Sequence, residues 1–453
     1  MNRNVHLATA IAAILGSAGA AQAATPPTLA QAAAAAKSIY VGGSSAAKNA
    51  VLAAVKVNLC GGVANALTIT STPNTNFGAV SCAPAAGVAG ANGTEFFTVY
   101  YRFEGGSVTG VLPIANNDAI NQLSLTATSF ITCADVNNCT ATVTGTSAAN
   151  GTTDTFGGAV GLHAVQMGIS DVEPAALTGK NYPTPYSTTA WGPVNPAGVA
   201  AVPSSALFDE VYGIFVNTGT TAGISTPLNL STQMVANILT KKVVNWSQVT
   251  DTAGTQVSST SIPIVIVNRE VGSGSRAATD LLITGDSCQV QGAAIKEASA
   301  TATDYFSTGD VLTALNSQGG GISYASIDNA PQANETLVNL NGDTPSALHA
   351  AGGSYPFWVE AVTTSNPNSV PDAGLSAYLT TTLQTIATAP HLADILAIPG
   401  IGSPANVAHV NVATNGDVAT GTLTGLGSAT IYTNPFTRNK VTCAIPQEVG
   451  SVQ

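Results

Sequence analysis

The feature that most constrains this chain is the run Ile264-Val265-Ile266-Val267-Asn268-Arg269-Glu270-Val271-Gly272-Ser273-Gly274-Ser275-Arg276. An apolar, β-branched stretch delivers the backbone to a Gly/Ser turn, and Arg276 to Ile283 then reads as helix. A buried strand that turns directly into a helix is the unit of an open α/β sheet. The same order recurs upstream. Ser38–Val41 reads as a strand, Gly42-Gly43-Ser44-Ser45 as its turn and Ala46–Val57 as helix, after a helical Ala-rich stretch from Leu29 to Ala36. Thr98–Phe103 is a strand closed by Glu104-Gly105-Gly106-Ser107, and Val165–Ser170 is a strand that leads into Asp171. Tyr212–Asn217 and Ile262–Asn268 read as strands, Ser231–Leu239 as a helix capped by Ser231, and Gly319–Tyr324 as a further strand.

At 453 residues the chain exceeds what one core organises, so two lobes are expected. The Pro-punctuated stretch 178–206 and the segment Ser354-Tyr355-Pro356-Phe357-Trp358 are the candidate crossings between them. One lobe is assigned to 37–180 plus 360–453, with a loop-rich insertion or small hairpin at about 115–160, and the other to 200–350. Residues 375–389 read as helix, and the tail from 400 as turns with short strands.

The first 23 residues have a basic start at Arg3, an apolar run from Leu7 to Ala21 and Ala21-Gln22-Ala23 before Ala24. That pattern predicts a cleavable signal peptide without a lipid-accepting cysteine, hence a periplasmic or secreted protein with no membrane insertion. Six cysteines agree with an oxidising compartment. Sequence proximity pairs Cys60 with Cys82 and Cys133 with Cys139, which leaves Cys288 with Cys443.

A formal net charge of −11 argues against nucleic acid and anionic membranes as partners. An anionic ligand would gain nothing from the overall field, so local amides, hydroxyls and one or two cations must hold it. The turn after Val267 offers these groups. The amides of Ser273 to Arg276 open a helix, Ser273 and Ser275 add hydroxyls, and Arg269 adds a bidentate guanidinium. The same serines would also serve an ordinary helix cap. Asp171 is open to two readings as well: a helix cap, or an acceptor for a proton carried by the ligand. Hydrogen phosphate can donate to such an aspartate, whereas sulfate cannot.

Four segments occur in one order: Gly168-Ile169-Ser170-Asp171, Phe215-Val216-Asn217, Leu228 through Trp246-Ser247, and Ile264 to Ser275. Together they resemble the phosphate-binding proteins of phosphate ABC transporters, over roughly residues 38 to 360. Arg269 to Ser275 matches the family's Arg-x-x-Gly-Ser-Gly-Thr/Ser segment, and Gly106 to Gly110 its Gly-Ser-x-x-Gly segment. The resemblance implies a type II periplasmic-binding-protein-like α/β fold: two lobes, each an open sheet flanked by helices, with a ligand cleft between. It implies that Ser107, Asp171, Arg269, Ser273, Gly274 and Ser275 hold the anion, with Ser44 and Ser45 in place of the family's first-loop hydroxyl. An ABC permease would be the partner and a monomer the working form, with no cofactor or metal.

The chain departs from the family where Val271 stands in place of an acidic residue beside the arginine, and Glu270 is the carboxylate nearest that position. The stretch between Ser107 and Asp171 is also longer than the family's. A secreted adhesin or matrix protein that keeps the fold without the ligand is the alternative function. A serine phosphatase lacks the metal cluster or activated base that its chemistry needs.

Overall fold

The computed structural model describes residues 25–48, 51–52, 55–84, 95–145, 155–177, 181, 196–285, 304–327, 329, 331–346, 349–350 and 353–369. It also describes the short segments 409–412, 421–422, 430–431 and 433–434. The expected signal peptide 1–23, Cys288, Cys443, most of the Pro-rich stretch 178–206, the expected helix 375–389 and the rest of the tail lie outside these residues.

The strands before the Pro-rich stretch are β1 (Lys37–Gly43), β2 (Leu67–Pro73), β3 (Phe77–Cys82), β4 (Phe97–Arg102), β5 (Ala119–Leu123), β6 (Ile131–Cys133), β7 (Asn138–Thr144), β8 (Gly157–Gly158), β9 (Val160–Ala164) and β10 (Met167–Ser170). Those after it include β11 (Ser204–Asn217), β12 (Asn229–Leu230), β13 (Val265–Ile266), β14 (Gly321–Ser326), β15 (Glu335–Leu340) and β16 (Trp358–Ser365). The fold is a mixed α/β one, with a large sheet flanked by helices. Across the sheet the strands follow the order β12-β15-β11-β16-β10-β1-β4-β3-β2-β7-β6, with β14 pairing β11 and carrying β13. β1 runs parallel to both β4 and β10, as expected where helical segments return the chain to the same edge. Strands β3, β4 and β14 are buried along their whole length, including Arg102 at the end of β4, which pairs with Glu104 at 3.5 Å.

β11 sets the architecture. From Ser204 to Val211 it pairs with β16, and from Tyr212 to Val216 it pairs with β14, joined by β15 from Ile214 to Asn217. One strand thus carries the chain from the β1/β4/β10 region into the β13/β14/β15 region. The return is made at Tyr355, Phe357 and Trp358, all fully buried, where β16 begins.

The largest core cluster spans both regions, since Val108, Leu112, Ile120 and Val165 pack in it together with residues that follow the Pro-rich stretch. Val211, Tyr212, Val235, Leu239, Trp246, Ile322 and Trp358 belong to this cluster, and Ile39, Val41, Val99, Tyr101 and Ile169 to another. Trp246 is buried without an unpaired group, because its Nε1 donates to the Gly320 carbonyl at 2.9 Å. The helix Thr232–Leu239 starts where expected, with Ser231 Oγ accepting from the Met234 amide at 3.1 Å.

Two differences from the sequence reading stand out. The region read as a loop-rich insertion or small hairpin does form the β6–β7 hairpin, but β7 also pairs in parallel with β2 and extends the main sheet. The apolar run Ile262–Asn268 enters the β14 ladder only at Val265–Ile266; Pro263 bridges to Asn245 before it, and Arg269 bridges to Tyr305 after it. Disulfides join Cys60 to Cys82 and Cys133 to Cys139, as sequence proximity indicated.

Candidate functional site

The site is organised by the start of the helix Gly274–Leu282. Gly272 has φ 95°, a left-handed backbone that side chains disfavour, and this sends the chain from β13 into the helix. The Ser273 amide closes the turn on the Glu270 carbonyl at 3.2 Å. Ser273 Oγ caps the helix by accepting from the Arg276 amide at 3.4 Å. Its cap role is therefore present, and its own hydrogen remains available to donate. The amides of Gly274 and Ser275 lie in the first turn, where helix geometry supplies no partner.

Arg269 lies under this turn and is 1% exposed. Its Nε donates to the Tyr305 carbonyl at 3.2 Å and its Nη2 to the Phe306 carbonyl at 2.8 Å. Nη1 reaches Thr308 Oγ1 at 3.1 Å and Ser275 Oγ at 3.4 Å. The guanidinium is thus oriented by two backbone carbonyls in place of the acidic neighbour that Val271 does not provide. Glu270 does not take that part. It is buried, and its Oε1 has no hydrogen-bond partner among the described residues. Burial holds its carboxyl well above the ordinary range; Glu104 and Asp304 add to this, and the Arg269 and Arg276 charges oppose it.

The turns from the other region close over the helix start. Gly106 to Gly110 form a tight turn after β4, and the Val108 amide donates to the Gly272 carbonyl at 3.0 Å. Ser107 Oγ accepts from the Asp171 amide at 3.0 Å. Ser275 Oγ lies 3.4 Å from Asp171 Oδ2. A Cβ on Gly274 would run into Ser107 Oγ and approach Asp171 Oδ2 to 2.7 Å, so only glycine permits this contact.

Ser44 and Ser45 differ in role. Ser44 is buried; its amide donates to the Ile169 carbonyl at 2.9 Å, and its Oγ accepts from the Ala46 amide at 3.1 Å. Ser45 faces Thr308 instead: its Oγ accepts from the Thr308 amide at 3.2 Å and from Arg269 Nη2 at 3.5 Å. Ser45 thereby links the turn after β1 to the start of the helix Thr308–Ser317.

Asp171 is 1% exposed, and its Oδ1 has no hydrogen-bond partner among the described residues. Burial raises its pKa, while the Ser44 hydroxyl, the Arg269 charge and the Tyr212 and Ser107 hydroxyls pull it back. Ser44, Ser45, Ser107, Asp171, Arg269, Ser273, Gly274 and Ser275 therefore converge on one spot. Sequence reasoning missed two residues that share it, Tyr212 and Thr308. Tyr212 sits mid-strand with no local motif that marks it. Thr308 follows a capping box at Ser307 and Asp310, a signature readable in the sequence.

Arg269, several hydroxyls and two first-turn amides offer positive charge and donors to an anion, while Asp171 offers an acceptor. Among the described residues no group of His, Cys, Asp and Glu is arranged to hold a metal ion. No helix among them is long and apolar enough to cross a membrane.

No family model matches the chain. Solved structures similar to it include a putative phosphate ABC transporter substrate-binding protein with bound phosphate from Clostridium perfringens. The identity is 12%, over 80% of this chain and 96% of that one, with a TM-score of 0.43. A phosphate-binding protein from Stenotrophomonas maltophilia is 13% identical over 80% of this chain and 86% of that one, with a TM-score of 0.39. PstS from Borrelia burgdorferi is 12% identical over 80% and 96%, with a TM-score of 0.35. Likenesses this distant carry no weight for the ligand. The functional reading rests on the residues of this site.

Proposed function

We propose that this chain is an extracytoplasmic solute-binding protein that captures a protonated tetrahedral oxyanion, inorganic phosphate above all. The ligand would sit between a lobe of about residues 37–180 plus the chain after 360 and a lobe of about 200–350. Arg269, the hydroxyls of Ser107 and Ser273, and the amides of Gly274 and Ser275 donate to the anion, and the Ser275 hydroxyl stands beside it against Asp171 and Tyr212. Ser44 lines the same spot, and Ser45 holds the closed arrangement. Asp171 accepts the anion's own proton, and no catalytic step is involved. An ABC permease would receive the ligand.

One observation carries this reading. A carboxylate buried to 1% exposure, with one oxygen unpartnered among the described residues, stands in the same cluster as an equally buried arginine. Leaving a charged acceptor unpaired costs more than about 1–3 kcal/mol. A ligand that carries both negative charge and a proton satisfies Arg269 and Asp171 together. Phosphate does so and sulfate does not. Binding of radiolabelled phosphate tests the proposal. Saturable binding, abolished in Asp171→Leu and Arg269→Ala and not displaced by sulfate, is the expected result. Absence of phosphate binding by the wild-type protein would overturn it.

A further inference from the structure

Tyr212 stands where β11 changes partners. Val211 is the last residue paired to β16, opposite Trp358, and Tyr212 is the first paired to β14, opposite Ser326. Its main chain is clamped by the returning crossover: the amide donates to the Phe357 carbonyl at 2.9 Å, and the carbonyl accepts from the Tyr355 hydroxyl at 2.7 Å. The ring packs against Phe357 with centroids 5.4 Å apart. The side chain is fully buried, yet its hydroxyl ends in the anion site, 3.3 Å from Ser275 Oγ.

Ser275 has one hydroxyl hydrogen and two acceptors in reach, Tyr212 Oη and, at 3.4 Å, Asp171 Oδ2. It can serve only one of them at a time. The Tyr212 hydroxyl also favours the ionised form of the Asp171 carboxyl, so it acts on both members of the pair. We infer that Tyr212 is a positioning residue of the anion site, whose hydroxyl fixes the Asp171 carboxylate and the Ser275 hydroxyl and thereby sets the preference for a protonated oxyanion. This rests on the anion-capture reading above and adds the group that keeps its acceptor ready.

The physical logic is direct. Asp171 can accept a proton from the ligand only while ionised, and burial works against ionisation. The charged and titratable groups facing Asp171 are Arg269 and Tyr212, and those facing Tyr212 are Asp171, Glu210 and Arg269. Burial, with Asp171 and Glu210 beside it, pushes the Tyr212 phenol well above its ordinary range, so it keeps its hydrogen across the accessible pH range. Removing the hydroxyl while keeping the ring takes a donor from Asp171 and raises its pKa further.

Tyr212→Phe tests this by isothermal titration with inorganic phosphate, and separately with sulfate, across pH. The wild-type protein binds phosphate and loses affinity on the acid side as Asp171 takes up a proton. In Tyr212→Phe phosphate binding weakens roughly tenfold or more, the acid limb moves to higher pH, and the ratio of phosphate to sulfate affinity falls. The titration of phosphate itself is common to both proteins and cancels in the comparison. Thermal melting of each variant checks folding. Tyr212→His, which keeps a ring with an N–H donor, serves as the rescue variant and is expected to recover part of the affinity. Unchanged affinity in Tyr212→Phe overturns the inference. So does a loss that is equal at every pH, which would mark a packing role, and so does a Tyr212→His no better than Tyr212→Phe. Failure of the wild-type protein to bind phosphate at any pH is a separate outcome, and it removes the anion-capture reading together with this inference.

Discussion

The Val108 amide donates to the Gly272 carbonyl at 3.0 Å, which ties the turn after β4 to the turn that opens the helix Gly274–Leu282. Within the same contact a Cβ on Gly106 would lie 2.8 Å from Ser273 Cα. The backbones approach this closely because Gly106 carries no side chain where Ser273 packs against it. The cluster around Asp171 is therefore a property of the closed arrangement, and its glycines are as necessary to it as its donors.

Gly274→Ala isolates that requirement. Alanine favours the helix over glycine by about 1 kcal/mol, so the helix itself should persist. The added methyl meets Ser107 Oγ and Asp171 Oδ2, an overpacking that costs on the order of 1–3 kcal/mol. Phosphate binding measured by calorimetry should weaken by roughly tenfold to a hundredfold, with an unchanged far-ultraviolet circular dichroism spectrum. Full affinity in this variant would show that the two turns do not need to meet.

The acceptor at Asp171 predicts selectivity with a sign. Asp171→Asn replaces one carboxylate oxygen by a donor and removes the negative charge. Phosphate affinity should fall by roughly tenfold or more, while sulfate, no longer repelled, should bind better than it does to the wild-type protein. In the wild-type protein the pKa of Asp171 is raised, so phosphate binding should decline as pH falls through that raised value. The variant should lack this decline. Competition between the two anions at a series of pH values reads both effects.

Much of this site was legible because it is local. The segment Arg269 to Ser275 holds a cation, a left-handed glycine, a cap and a helix start within one turn, and the structure keeps them together. Asp171 was legible for a similar reason, since it follows a buried strand. Tyr212 and Thr308 join the site through pairings distant in sequence, which no local pattern encodes. The same holds for the fold. β2 (Leu-Thr-Ile-Thr-Ser-Thr-Pro), to which the sequence reading assigns no element, is held as a strand by β3 and β7, which pair on either side of it. β7 alternates buried Cys139, Ala141 and Val143 with exposed neighbours. Its period of two was present in the sequence but masked by small residues, whose burial contributes a weaker apolar signal than that of Val or Ile.

Glu270 predicts a pH dependence of stability. Its folded pKa is raised well above the ordinary 4.5, chiefly by burial. A carboxyl of this kind contributes stability that is fully present below its unfolded pKa and is lost as pH rises through the folded value. Urea midpoints for the wild-type protein should therefore include a falling component on the alkaline side, which Glu270→Gln removes. The glutamine variant should be the more stable of the two at alkaline pH. If its profile runs parallel to that of the wild-type protein, Glu270 does not carry the linkage.

The disulfides should differ in what they contribute. Cys60 and Cys82 are separated by 22 positions and tie the segment after the short helix Val55–Leu59 to the end of β3. Cys133 and Cys139 are separated by 6 and close only the β6–β7 hairpin. Constraint of the unfolded chain grows with the logarithm of the loop closed, giving about 3 kcal/mol for the first and about 2 kcal/mol for the second. The Cys60–Cys82 bridge also sits in the core, with both residues at most 1% exposed, whereas Cys133 is exposed on the edge strand. Replacing Cys60 and Cys82 together by alanine should lower the urea midpoint more than the same change at Cys133 and Cys139. It should weaken phosphate binding little, because neither bridge touches the residues around Asp171. An equal loss of stability from the two double variants would mean that the β6–β7 hairpin, despite its place at the edge, contributes as much as the core does at β3.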